Sequence, residues 1–142
     1  MLIEKSAGIV VFRRNNNKVE YLILKYGARH WDFPKGHLED NETSIQAALR
    51  ETKEETNLDV KIIDGFIEKI SYIFRTQYSQ GQVIYKEVDF FIGEVPFNVE
   101  VKLSHEHSKF KWETYEEAKK ILTHQNAKNI LEKVNGFVIN NL

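Results

Sequence analysis

The chain predicts a mixed β-sheet with helices on both sides, an α/β (α+β) arrangement. Three observations carry this. A β-branched hairpin opens the chain, a single stretch near residue 50 switches from strand to helix periodicity, and two helical segments follow a further run of strands.

Ala7–Arg13 (AGIVVFR) is β-branched and apolar, the composition of a buried strand. Asn15-Asn16-Asn17 is a turn signal, and Val19–Lys25 resumes as a second strand, so the two form a hairpin. Trp31–Phe33 precedes Pro34, which discourages helix before it, and Gly36 with the acidic run to Asn41 reads as a loop. Over 43–56 the period changes. Ile45, Ala48, Leu49 and Thr52 fall at helical spacing on one apolar face. Asp40, Asn41 or Thr43 caps the start, and Asn57 stands where a left-handed stop is expected.

Val60–Ile63, Phe66–Phe74 and Val83–Val95 are strand-like, with residues 77–82 as the turn between the last two. Phe110–Trp112 is a short edge strand. Thr114-x-x-Glu117 has the capping-box pattern and opens a helix to about Leu122, and Asn126–Val134 is a final helix with Ile130, Leu131 and Val134 inward.

No repeat, low-complexity tract or linker divides the 142 residues, so one domain over 1–142 is expected. An apolar fraction of 42% suits a globular chain, and the absence of Cys excludes disulfides and thiolate metal sites. The first residues lack the layout of a signal peptide and no apolar stretch reaches membrane-spanning length, so a cytoplasmic protein without a membrane partner is expected. With 20 basic and 21 acidic residues, net charge −1, the chain is not built to hold nucleic acid by bulk electrostatics. A polyanionic ligand must be held locally, by a few cations or by metal. The sequence leaves the oligomeric state open, with a monomer compatible.

The helix over 43–56 carries the chemistry. Glu51, Glu54 and Glu55 stand at i, i+3 and i+4 and project from one side, away from the apolar stripe. Carboxylates at that spacing repel unless a hard cation with oxygen ligands joins them, and Mg²⁺ favours few carboxylates plus water and phosphate. Arg50, four residues before Glu54, is placed to orient a carboxylate with its forked donors. The plain alternative for an ETKEE run is a solvated helix face.

The surroundings decide against that alternative. Gly36, five residues, Glu42, seven residues, then Arg50-Glu51-Thr52-Lys53-Glu54-Glu55-Thr56-Asn57-Leu58 resembles the signature of the Nudix hydrolase family, G-x5-E-x7-R-E-U-x-E-E-x-G-U, where U is bulky aliphatic. The departures are Asn57 for Gly and Thr52 at the first U, and neither removes a chemical group. The resemblance implies the Nudix fold, an α/β/α sandwich around a mixed sheet. It also implies metal-dependent attack of water on a phosphoanhydride, with Mg²⁺ as cofactor and Mn²⁺ as a substitute. By the same resemblance Gly36 offers its carbonyl to metal, Glu51, Glu54 and Glu55 are ligands, Arg50 shapes the cluster, and Glu42 stabilises the loop-helix. Glu54 and Glu106 are the two candidates for general base.

Three further segments, residues 7–14 (AGIVVFRR), 30–39 (HWDFPKGHLE) and 103–112 (LSHEHSKFKW), are similar to the asymmetrical diadenosine tetraphosphate hydrolases of this family. The similarity runs from about residue 7 to about 122. It implies a small nucleotide substrate, split into ATP and AMP. Lys35 and His30 are then candidates for phosphate contact, with Trp31 as core or wall. Glu106 is the extra carboxylate reaching the metal from outside the signature, and Tyr72 stacks the base, with His124 where relatives carry a second aromatic. His105 and His107 flanking Glu106 make only a weak case for zinc. The other readings are a Nudix enzyme for RNA 5′ ends, oxidised nucleotides or diphosphoinositol phosphates, or an inactive binding module. Near-neutral charge disfavours the RNA and inositol versions, and the retained carboxylates disfavour the last.

Overall fold

Residues Leu2–Asn15 form one long strand, β1, in which Ser6 through Phe12 are all buried, the pattern of a central strand covered on both faces. The computed structural model describes residues 1–75 and 80–142. Strand β1 starts five residues before the apolar run because Leu2–Phe12 lies parallel to β7 (Ile84–Glu94), which supplies backbone partners that polar Glu4 and Lys5 do not advertise. The hairpin to β2 (Lys18–Tyr26) turns at Asn16, whose φ of 58° is left-handed.

Beyond the hairpin pairing, β1 is flanked instead by β4 (Lys35–His37), with Ala7 opposite Gly36. This corrects the loop expected at Gly36: the end of β1 that β2 does not cover is completed by a three-residue strand. The approach is close. A side chain at Gly8 would stand 2.6 Å from the Pro34 carbonyl oxygen and 2.7 Å from Lys35 Cβ, so only glycine fits. Between them β3 (His30–Asp32) pairs with β2.

Helix α1 (Ser44–Thr56) is capped by Thr43, whose hydroxyl accepts from Gln46 N–H while the Gln46 side chain accepts from Thr43 N–H. It stops at Asn57 with φ 63°. Its buried side differs from the expected stripe. Ala47, Ala48, Thr52, Glu55 and Thr56 face inward, whereas Ile45 is exposed and Leu49 half-buried. The inward row is rotated toward the small residues, because helix and sheet approach closely through alanine, and Glu55 is carried inside with them.

The remaining strands are β5 (Lys61–Ile62) and β6 (Glu68–Phe74), both antiparallel to β7, and β8 (His107–Glu113), antiparallel to β2. Strand β8 begins three residues before the expected Phe110. The turn expected at 77–82 lies partly outside the described residues. Helix α2 (Tyr115–Ile121) starts at Thr114, but no side-chain cap bond forms there, so the expected capping box is absent. Helix α3 (Gln125–Asn141) runs seven residues past the expected end, through Asn135 and Gly136, because Val138 is also buried against the core.

The sheet separates two apolar layers. Ala7, Ile9, Val11, Leu22 and Leu24 pack with Ala47 and Ala48 of α1. Val10, Phe12, Tyr21 and Ile23 pack with Ala118 and Leu122 and with Ile130, Leu131 and Val134 of α3. Alternation along β1 and β2 therefore places helices on both sides, as the sequence predicts. Among the described residues no helix is long and apolar enough to cross a membrane.

Candidate active site

Strand β4, the C-terminal half of α1 and the loop before β8 surround a cavity of about 640 Å³, lined by Lys35, Gly36, His37, Glu51, Glu54, Glu55 and residues 104–106. Four glutamates, Glu51, Glu54, Glu55 and Glu106, thus meet one space, three from the helix and one from the loop.

Arg50 is the hub. Its Nε donates to Glu42 Oε2 at 2.8 Å and its Nη2 donates to Glu42 Oε1 at 3.0 Å and to the His37 carbonyl at 2.9 Å. Nη1 reaches Glu51 Oε1 at 3.0 Å and both Glu54 oxygens at 3.3 Å. The Glu42 bond is the largest influence on the guanidinium, raising its pKa. Reciprocally, Arg50 holds the Glu42 carboxyl down at about 2. Glu42 also accepts from Glu39 N–H at 2.9 Å, closing the loop that leads into α1.

Gly36 leaves the room that Glu51 occupies: a methyl group there would overlap the Glu51 carboxylate. Glu55 does not project into solvent with its neighbours, as expected from spacing. It is buried, with Oε1 2.8 Å from the Tyr26 hydroxyl and 2.8 Å from His107 Nε2. Its Oε2 is buried with no hydrogen-bond partner among the described residues. Burial, then the adjoining Glu51 carboxylate, pushes the Glu55 carboxyl up to about 9, so it keeps its proton at neutral pH without a cation. Tyr26 is pushed up as well, by burial and by Glu55, and its hydroxyl also lies 2.8 Å from the Phe33 carbonyl. Burial lowers His107.

Among the described residues no three carboxylate or imidazole groups already converge as a finished ligand shell, and Arg50 occupies Glu51 and Glu54. The donor chemistry nevertheless fits a divalent ion. Four carboxylates line the space, among them the orphaned Oε2 of Glu55, and they are cradled where a side chain at residue 36 would intrude.

A second cavity, of about 520 Å³, adjoins the first and shares Lys35 with it. Its walls are Ile70, Tyr72 and Phe90 on one side and His124 to Ala127 at the start of α3 on the other, with Asp32 beside Lys35. Lys35 Nζ is 3.0 Å from Asp32 Oδ2. Burial alone would raise the Asp32 carboxyl, but bonds from His30 and Lys35 outweigh it and hold the group below its ordinary value. His30 Nδ1 is 2.8 Å from His124 Nε2, and His30 Nε2 is 3.6 Å from Asp32 Oδ2. Lys86, opposite Tyr72 in the register, is lowered by burial and then by Lys35.

The structure therefore brings Gly36, Glu51, Glu54, Glu55 and Glu106 to one cavity, Tyr72 and His124 to the other, and Lys35 to both. His30 is not among the lining residues of either cavity and is held by two residues of the second, His124 and Asp32. Trp31 packs partly buried against the core layer of α2 and α3. Tyr26, Asp32 and Lys86 escape sequence reasoning, and His107 enters it only as a weak zinc ligand. Asp32 stands inside the quoted HWDFPKG segment, where a carboxylate three residues before a lysine was the available signal. Tyr26 gives none, and the contact of His107 with it comes from pairing across β2 and β8.

Comparison with known proteins agrees with this architecture. The mouse asymmetrical bis(5′-nucleosyl)-tetraphosphatase is 33% identical over 94% of this chain and 95% of its own length. The Caenorhabditis elegans enzyme of the same name is 34% identical over 96% and 98%. The crystal structure of a C. elegans Ap4A hydrolase binary complex superposes with a TM-score of 0.84 at 33% identity, covering 96% of this chain and 98% of that one. The family model for the NUDIX domain matches residues 2–134, and the chain belongs to the Nudix hydrolase family, whose members generally need divalent metal ions.

Proposed function

We propose that the chain hydrolyses a dinucleoside polyphosphate, diadenosine tetraphosphate foremost, into ATP and AMP, with Mg²⁺ or Mn²⁺ as its metal. The observation that carries this reading is the meeting of the two cavities at Lys35, which lines both the carboxylate space and the one walled by Tyr72, Ile70 and Phe90. A polyphosphate needs the first and a nucleobase the second, because base stacking on an aromatic ring stabilises by roughly 1–3 kcal/mol.

Glu51, Glu54, Glu55 and the Gly36 carbonyl would hold the metal, with Glu106 approaching from the loop. Bound there, a divalent ion neutralises phosphate charge and makes water more acidic. The chain's own groups do the rest. Lys35, neutralised in part by Asp32, is the point charge at the junction and holds a phosphate oxygen. His30, held through Nδ1 by His124 and through Nε2 by Asp32, would give a phosphate the N–H that now faces Asp32. Tyr72 and His124 hold the base between them. Glu54, more exposed than Glu51, and Glu106 are the groups in the cavity able to take the proton of the attacking water. Arg50 keeps Glu51 and Glu54 from splaying apart.

Incubation of diadenosine tetraphosphate with the protein and Mg²⁺, followed by chromatography of the products, tests the proposal. Equal ATP and AMP is the expected result. Two ADP, or no turnover alongside rapid hydrolysis of an oxidised nucleotide or a 5′-triphosphate RNA, would reject it.

A further inference from the structure

His105-Glu106-His107 precedes the β8 residues that pair regularly with β2, and its second histidine has a place that strand alternation alone would not give it. Lys25 lies opposite Lys109, yet the next residue, Tyr26, lies opposite His107. Ser108 is therefore an extra residue, a bulge of the kind that re-aims a side chain. The re-aimed imidazole is completely buried, edge-on to the Tyr26 ring at 4.2 Å, with Nε2 2.8 Å from Glu55 Oε1. Burying an imidazole is costly unless it makes its bond, so simple packing would favour an apolar residue here.

The backbone leading to it is docked on the same helix end. Lys102 N–H donates to the Thr56 carbonyl at 3.0 Å, and Ser104 N–H donates to the Glu55 carbonyl at 3.1 Å. His107 N–H then donates to Ser104 at 3.2 Å. Residues 102–107 thus arch from the last turn of α1 back onto Glu55, and Glu106 is carried on that arch, one residue from the buried imidazole.

From this arrangement we infer that His107 is a positioning residue, which pins the Glu106 loop to the Glu55 carboxylate and so sets both walls of the carboxylate cavity at once. With Glu55 ionised, the bond requires His107 to donate from Nε2. Glu55 Oε1 is then occupied by Tyr26 and His107, and Oε2 is the oxygen left to face a cation. Groups that orient a ligand in this way commonly contribute about 10–100-fold to metal affinity. The inference rests on the proposal that Glu55 is a metal ligand.

The test is Mn²⁺ binding by titration calorimetry on the whole chain, with kcat and KM measured at saturating Mn²⁺. Three variants are compared: H107Q, whose amide reaches the place of Nε2; H107N, whose amide does not; and H107L. H107N and H107L should bind Mn²⁺ about ten-fold or more weakly and lose kcat, with KM for the nucleotide little changed, while H107Q keeps most of the affinity. Either of the two non-reaching variants suffices if the other does not fold. Unchanged Mn²⁺ affinity in the non-reaching variants, or a loss in H107Q as large as theirs, overturns the inference. E55Q separates the two claims: if it binds Mn²⁺ like the wild type, the metal reading itself is wrong. If E55Q loses binding and H107N does not, only the pin is wrong.

Discussion

Arg50 grips Glu42 with two prongs, Nε to Oε2 at 2.8 Å and Nη2 to Oε1 at 3.0 Å, across the loop that joins β4 to α1. The grip holds the Glu42 carboxyl at about 2 in the folded chain, against 4.5 ordinarily. A carboxyl depressed on folding stabilises fully above its unfolded value and stops doing so as pH falls through its folded one. The urea midpoint of the wild type should therefore drop between about pH 4.5 and 2, and E42Q should flatten that part of the curve. Parallel curves for the two proteins would count against the grip.

Glu55 has the opposite sign. Its folded value near 9 means the native state holds a proton that the unfolded chain releases above 4.5. Stability of the metal-free protein should fall as pH rises from 4.5 towards 9. E55Q, neutral throughout, should lose this slope, melt higher than the wild type at pH 9, and yet lose metal-dependent turnover. A melting temperature for E55Q below that of the wild type at alkaline pH would contradict the buried, proton-retaining state.

Gly36 separates function from folding. An alanine there meets the movable end of Glu51 rather than backbone, so the chain should fold with a loss of about 1 kcal/mol or less. Displacing that carboxylate by about an ångström should nevertheless lower kcat/KM about 100-fold. Thermal melts and steady-state kinetics on G36A read the two effects independently, and wild-type kinetics would show that Glu51 is not position-critical.

Tyr72 is 36% exposed at the wall of the second cavity, available to a base from one side. Y72A should raise KM for diadenosine tetraphosphate about ten-fold, the lower part of the range for one lost stack, with kcat nearly constant. A fall in kcat at unchanged KM would place Tyr72 in the chemistry instead of the binding.

Most of the architecture was legible because it depends on local rules. Thr43 and Asn57 end α1 as turn chemistry requires, and the alternation of β1 and β2 puts helices on both sides of the sheet. Errors arose where tertiary partners override local pattern. Gly36 joins a strand because β1 has open backbone there, and α3 continues through Asn135-Gly136 because Val138 finds the core. At the site, spacing identified Glu51, Glu54 and Glu55 together but could not tell that the third turns inward. That follows from the close approach of Ala47 and Ala48 to the sheet, which only packing reveals.

The division of labour around Lys35 has an evolutionary meaning. On the proposed function, the cleavage machinery is built on β4, α1 and the arch before β8, whereas the base-facing walls come from β6, β7 and the first turn of α3. On that proposal, substitutions at Ile70, Tyr72 or residues 124–126 would retarget the protein to a different nucleotide while leaving the carboxylates untouched. Lys35 is the exception. As the residue common to both compartments, it would tie recognition to turnover, and drift there would be felt in both at once.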